Sequence, residues 1–392
     1  GTTPGSQLYT LTFTAPSLTQ DTSAITVLPM ARRRSATCQI GANQQTTTCA
    51  ITPTLSDISR TMLFFQAAAG DADDTPSEDH VTCALQLNGG AAEMACTRSV
   101  STGAALDIEW QTLSFPYPSS QAGGVSVQHL SGGCTAAATN AMPINTGFTA
   151  NPSATMANTF ALFSHRSTGT NNDFEHHFTG RLTATNNFRV EQASSATTCS
   201  VTMGFTAQVV TWNGASVTRG LIAPTMASAT AAFTATASST TNRSFVLHSS
   251  RMATSDTSAP DICRRRLKSE ITNSTTLTFT RGCTGSDVQE IAWELVTVPA
   301  TASVATLGGN TGNNGNNVNL AMSNADLARG VAFLSGMGPG GTANSATDYN
   351  SGDQVGAAQG RAVVNNVSQV GVARPGSDGV GQFSGFFLQV TP

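Results

Sequence analysis

Four short apolar segments, residues 61–65 (TMLFF), 159–163 (TFALF), 244–248 (SFVLH) and 330–334 (GVAFL), return at intervals of 98, 85 and 86 residues. Self-similarity of this kind means that one supersecondary unit is used repeatedly. Each segment follows a strand-like stretch, at 24–28 (AITVL), 125–129 (VSVQH), 216–219 (SVTR) and 303–307 (SVATL). Each is followed by a polar loop and a strand pair. In the second copy the pair is 178–182 and 188–190, turned at Asn186 and Asn187; in the third it is 266–270 and 276–279. Asn-containing dipeptides favour tight hairpin turns. A closing strand with a large side chain ends each copy, at Trp110, Trp212, Trp293 and Phe387.

The pattern predicts an all-β chain of four tandem β-sandwich repeats. Each copy holds six or seven short strands in about 90 residues, the scale of an immunoglobulin-like sandwich. Period-2 alternation is clear at 10–14 and 291–298, and no long stretch carries helical periodicity. The expected divisions are 1–16, an N-terminal strand, then repeats at 17–120, 121–214, 215–300 and 301–392. Copies meet with almost no linker, which predicts a stiff rod.

Eight cysteines, Cys38, Cys49, Cys83, Cys96, Cys134, Cys199, Cys263 and Cys283, include no CxxC and lack zinc-ligand spacing. Their spacings suit bridges 38 to 49, 83 to 96, 134 to 199 and 263 to 283, although eight cysteines allow 105 pairings. Disulfide staples imply an oxidising, secreted or cell-surface setting. No apolar run reaches the ~18 residues of a membrane span. The polar first residues are expected to be those of a processed chain.

Charged residues supply only 11% of the chain, its net charge is −4, and Lys268 is the one lysine. A nucleic-acid binder shows a basic stripe, which is missing. Weak net charge leaves self-association electrostatically permitted. No GxSxG elbow, phosphate loop or placed carboxylate pair is found, so no enzyme is expected. The histidines, His80, His129, His165, His176, His177 and His248, fall at unrelated repeat positions and read as surface residues. Asn242, Asn273 and Asn366 open glycosylation sequons, which chance also produces in so Asn-, Ser- and Thr-rich a chain.

Three features bear on partners. Asp71, Asp73, Asp74, Glu78 and Asp79 crowd one loop, a density of hard oxygen that makes Ca2+ the candidate cofactor; a solvated acidic loop is the plainer reading. Arg32, Arg33 and Arg34, and again Arg264, Arg265 and Arg266, form triple runs. They read either as charge guarding a strand edge or as a dock for an acidic loop of another subunit. The segment carrying Leu8, Tyr9, Leu11 and Phe13 either pairs inside its own copy or completes a sheet in a neighbouring molecule.

With its recurring strands ending at Trp110, Trp212, Trp293 and Phe387, the chain resembles bacterial secreted surface and filament proteins built from tandem β-sandwich units. The paired strands before a Trp strand are also similar to the H-type lectin sandwich. The first resemblance implies a structural subunit that self-assembles into an extracellular filament, sheath or surface layer. The second implies a glycan-binding adhesin, and a virion or phage tail fibre is a third alternative.

Overall fold

The computed structural model describes residues 7–13, 21–27, 31–55, 57–69, 80–139, 141–168, 176–193, 196–222, 230–234, 242–252, 266–281, 289–310, 317–323, 325–340, 360–374 and 380–391. Thr, Val and Ile favour extended backbone and Asn and Gly its turns, and among these residues the structure is β throughout apart from one turn of 3-10 helix, Ile58–Arg60.

Strands β1 (Gln7–Phe13) and β2 (Asp21–Val27) form a two-stranded sheet of their own. Unit one comprises β3 (Arg32–Ile40), β4 (Thr46–Ala50), β5 (Thr61–Ala69), β6 (Val81–Asn88), β7 (Ala91–Arg98) and β8 (Leu106–Ser114). Unit two comprises β9 (Val125–Cys134), β10 (Ile144–Gly147), β11 (Thr159–Ser167), β12 (Thr179–Ala184), β13 (Asn187–Glu191) and β14 (Met203–Trp212). Unit three runs through β15 (Ser216–Ile222), β16 (Thr230–Thr234), β17 (Ser244–Met252), β18 (Lys268–Asn273), β19 (Thr276–Thr280) and β20 (Gln289–Thr297). Unit four runs through β21 (Ala302–Asn310), β22 (Asn317–Ala321), β23 (Gly330–Gly340), β24 (Arg361–Asn366), β25 (Gln369–Ala373) and β26 (Val380–Val390).

Every unit has the same wiring. Its first, sixth and third strands make one antiparallel sheet with the sixth in the middle; its second, fifth and fourth make the other with the fifth in the middle. An immunoglobulin domain instead sets four strands against three, so that part of the expectation is corrected. Unit one opens at Arg32, and the 24–28 segment read as its first strand belongs to the separate β1–β2 sheet.

The recurring segments are the third strands. Their register is constant: Met62 faces Leu113, Phe160 faces Val210, Phe245 faces Val296 and Val331 faces Leu388. All eight residues are fully buried in one cluster shared by the four units. Alternate side chains point to opposite faces of a strand. The intervening residues therefore serve local cores: Leu63 and Phe65 pack with Ile40, Met94 and Trp110, Ala161 and Phe163 with Phe188 and Phe205, and Ala332 and Leu334 with Ala362 and Phe387. Unit three's local core, with Leu277 and Phe279, is continuous with the shared cluster.

Each unit's first sheet packs on the third and fourth strands of the unit before it, with unit one packing on unit four, and the contacts repeat around the set. Gln208 of unit two clasps the backbone of Leu63 in unit one, accepting from its N–H at 2.7 Å and donating to its carbonyl at 2.6 Å. In unit three the equivalent residue is Glu294, which accepts from the N–H of Ala161 in unit two at 2.7 Å. Gln111 of unit one donates to the carbonyl of Ala332 in unit four at 2.7 Å and accepts from its N–H at 3.1 Å. Between units four and three, the N–H of Ser269 donates to Ser384 Oγ at 3.0 Å. The same backbone bond that joins consecutive units, Val217 N–H to Ala157 and Val304 N–H to Asn242, also joins unit one to unit four, Arg33 N–H to Ala328. The units thus close into a ring, and the expected stiff rod is corrected. Short linkers allow either form; the apolar outer face of each first sheet selects the closed one.

The closing aromatics are not equivalent. Trp110 and Trp293 lie opposite Phe65 and His248, whereas Trp212 pairs with Val125 and packs edge-on against Phe115 in the shared cluster. Phe387 sits opposite Ala332, and a Cβ on Gly330 would lie 2.1 Å from its ring. Disulfides join Cys38 to Cys49, Cys83 to Cys96 and Cys134 to Cys199, as the spacings suggest, while Cys263 and Cys283 lie outside the described residues. Replacing Gln208 by Leu strands both backbone groups of Leu63 and is expected to cost about 1–3 kcal/mol, measured by denaturant unfolding, with the β-sheet circular dichroism unchanged.

Candidate functional site

The third strands run side by side around the ring, so their equivalent residues form levels along its centre. Met62, Phe160, Phe245 and Val331 close the first level completely. Two residues on, Phe64, Leu162, Leu247 and Phe333 line a cavity of about 310 Å3. Two further on, Gln66, Ser164, Ser249 and Ser335 form a polar collar around it. Beyond the collar all four third strands end on the same side of the ring.

The collar residues are hydrogen-bonded within the protein. Gln66 accepts from the N–H of Ala362 at 2.5 Å, and Ser164 pairs with Thr206 at 2.8 Å. Ser249 accepts from the N–H of Gly180 at 3.0 Å, and Ser335 pairs with Ser384 at 3.1 Å. Gly180 is required here, since a Cβ would lie 2.5 Å from the Phe163 ring. Glu294 also lines the cavity and is paired with Arg219 at 3.0 Å; burial raises its pKa against that arginine's attraction.

On the side where the third strands end, three histidines converge. The ring centroid of His80 lies 5.9 Å from that of His165 and 6.0 Å from that of His176. His165 stacks on Phe163 at 5.5 Å and donates from Nε2 to the carbonyl of His176 at 2.9 Å. His176 Nδ1 lies 3.0 Å from Ser167 Oγ. Arg266 of unit three donates from Nη2 to His80 Nε2 of unit one. Units one and three are not consecutive in the chain, and this bond joins them beside His165 of unit two. Burial holds the imidazoles neutral: it lowers His165 and His248 to about 4 and His176 to about 3, and puts His80 well below its ordinary value. Arg266 lowers His80, His165 and His176 further.

The surface reading of these histidines is corrected. His80, His176 and His177 are buried, and His129 donates to the carbonyl of Ile58 at 3.1 Å at the junction of units one and two. Linear spacing hid the convergence, because the residues meet only once the ring closes. The one available signal was that His80 and His177 stand next to fourth strands in different copies.

Arg33, Arg34 and Arg266 bond within the chain. Arg33 Nη1 donates to the carbonyl of Leu327 at 3.5 Å across the closing seam, and Arg34 donates to those of Pro53 at 2.5 Å and Thr54 at 3.3 Å. Arg32 is exposed. Arg264 and Arg265 lie outside the described residues. Arg266 reaches His80, which follows the acidic segment, within the same chain. Asp71, Asp73, Asp74, Glu78 and Asp79 are outside the described residues; among those described, no group of three or more His, Cys, Asp or Glu side chains is placed to hold a metal ion. Leu8, Tyr9, Leu11 and Phe13 lie on β1, paired with Thr26, Ile25, Ser23 and Asp21 of the same chain. No described helix is long and apolar enough to cross a membrane.

No protein-family model matches the chain, and none of the curated proteins matches it in sequence.

Titration should weaken the ring from both sides. A histidine whose folded pKa is depressed stabilises the fold above the ordinary imidazole range, and that contribution is lost as pH falls toward the values of about 4 and 3. Glu109, buried beside Arg33 and Arg361 at the seam of units one and four, is pushed up to about 7 by burial. Its protonated form is the favoured one, so its contribution is full below the ordinary carboxyl range and lost as pH rises through about 7. Thermal unfolding across pH 3 to 9 should therefore peak between these limits. His165→Gln should flatten the acid limb and Glu109→Gln the alkaline limb, each by roughly 2–4 °C.

Proposed function

We propose that the chain is a structural subunit of an extracellular assembly, a filament, sheath or surface layer, with each six-stranded unit acting as one β-sandwich repeat. The supporting observation is the state of the strand edges. Ring formation covers the third- and fourth-strand edges of the units, and the first strands meet the neighbouring unit at their leading ends, while the second strands stand at the rims of their sheets. An exposed edge is a template for pairing unless charge or proline protects it. The four second strands, TTTCA, INTG, TAAFT and NVNLA, contain neither a charged residue nor a proline. Two of the first strands, VSVQHLSGGC and ASVATLGGN, are also uncharged. Only β3, with its arginines, is strongly guarded.

Unguarded edges repeated around a ring are surfaces for homo-oligomeric strand pairing, and weak net charge does not oppose it. Oxidised cysteines suit an exterior setting. The competing reading, a glycan-binding adhesin, draws on the four polar stretches that follow the third strands in the sequence, since loops on a rigid scaffold are where ligands are met.

Negative-stain microscopy and light scattering of the concentrated chain test the proposal. Ordered polymers are expected, and the triple variant Thr48→Lys, Asn145→Lys, Asn319→Lys, exposed positions on three second strands, should stay monomeric with an unchanged melting temperature. A wild-type chain that stays monodisperse sinks the assembly reading, and its retention on a glycan array would favour the adhesin.

A further inference from the structure

The cavity at the centre of the ring lies away from the strand edges that assembly would use. Its closed end is the plug of Met62, Phe160, Phe245 and Val331, packed without exposure. One level up, Phe64, Leu162, Leu247 and Phe333 leave about 310 Å3 unfilled, although protein interiors are normally packed to crystal density. The space extends to the junction of units two and three, where Arg181 of β12 and Leu221 of β15 line it. Leu221 is 42% exposed, so the wall reaches the surface there.

The wall is aromatic on several sides. Phe163 and Trp293 join Phe64 and Phe333 in lining the space. Phe64 and Phe333 stack at 4.9 Å across the junction of units one and four. Glycine stands where any side chain would press on the other two rings: a Cβ on Gly180 would lie 2.5 Å from the Phe163 ring, and one on Gly220 would lie 2.8 Å from the Trp293 ring. Such a wall favours a further ring, which aromatic side chains meet edge-on or in offset stacks.

The charged groups on the same wall are already matched inside the protein. Arg181 is paired with Glu191 at 3.1 Å. Arg219 is paired with Glu294 at 3.0 Å and also donates to the carbonyl of Thr159. The other carboxylate oxygen of Glu294 accepts from the N–H of Ala161, and Gln208 uses both ends of its amide on Leu63. The collar hydroxyls and Gln66 are engaged in the same way. A charged guest would therefore be desolvated with no counter-charge left to meet it, whereas a neutral apolar guest breaks none of these bonds.

Size completes the description. An apolar cavity of about 150 Å3 stays dry and takes up a single benzene, and the space here is about twice that volume. We propose that the axial cavity binds one neutral apolar molecule the size of two fused aromatic rings, seated among Phe64, Phe163, Phe333 and Trp293 and against Leu162 and Leu247.

Naphthalene and 2-naphthoate, the same rings without and with a charge, are the probes, titrated calorimetrically into the full chain. The expected result is one naphthalene per chain, with 2-naphthoate weaker by about tenfold or more. Leu247→Trp, which fills the cavity, should abolish naphthalene binding; if that variant does not fold, Leu162→Phe should weaken it. No saturable naphthalene binding by the wild-type chain would overturn the proposal. So would 2-naphthoate binding as tightly as naphthalene, or naphthalene binding that a folded Leu247→Trp or Leu162→Phe chain retains at full strength.

Discussion

A strand at the rim of a three-stranded sheet carries outward N–H and C=O groups, and burying them without partners costs more than most single contacts gain. This protein buries two such rims in every unit. It does so by aiming polar side chains from the neighbouring unit at the exposed backbone. On the fourth strands, Cys83 O takes a hydrogen bond from Thr206, Gly180 N–H and O meet Ser249, Ser269 N–H meets Ser384, and Ala362 N–H meets Gln66. The four backbone positions are equivalent; the partners are a threonine, two serines and a glutamine. What is repeated is the hydrogen bond. The side chain that supplies it changes from junction to junction, and the ring exists because each rim is satisfied by the unit beside it.

That constraint explains the apolar segments from which the sequence pattern was read. A third strand in an isolated sandwich would alternate, one face to the core and one to water. Here both faces are dry, one toward the local core and one toward the centre, so the segments read as unbroken hydrophobic runs. Their recurrence was legible, and it pointed to the all-β class that the strands show. The closure was not, because an apolar residue looks the same whether it packs within its unit or between units. A clue lay in the sixth strands: Gln111, Gln208 and Glu294 are long polar residues at one register, each opposite an apolar residue of the third strand. Each is buried, and each meets the backbone of the preceding unit around the ring.

Legibility failed more sharply at the histidines. His80, His165 and Arg266 come from three different units and are far apart in the chain, so no local motif connects them. Trp110, Trp212 and Trp293 misled in the opposite sense. Their similar distance from the end of each copy suggested one role, yet Trp212 is displaced to the register of Phe115 and serves the shared cluster. An aromatic is selected for filling volume, and volume was needed at different heights in different units. The disulfides were more readable, because cysteines 11 and 13 residues apart in short strands have few other partners within reach.

Unit four shows how far the shared interior can substitute for local staples. Residues 301–392 contain no cysteine, and where the other units carry Gln or Glu this one has Phe386. Its place in the ring is held by aromatic contact instead. Phe333 stacks on Phe64 of unit one at 4.9 Å and meets Phe245 of unit three edge-on at 5.4 Å, while Phe386 lies 6.3 Å from Phe245. Such pairs contribute about 0.5–1.5 kcal/mol each beyond their buried area, so three together approach the roughly 2–4 kcal/mol of one disulfide. The two kinds of staple act differently, however. A disulfide restrains its own unit whether or not the ring is closed, whereas the Phe333 contacts exist only when units one, three and four are all in place. Unit four is therefore the part of the chain whose order depends most on closure, and the cavity it helps to wall is a property of the closed ring and of no single unit.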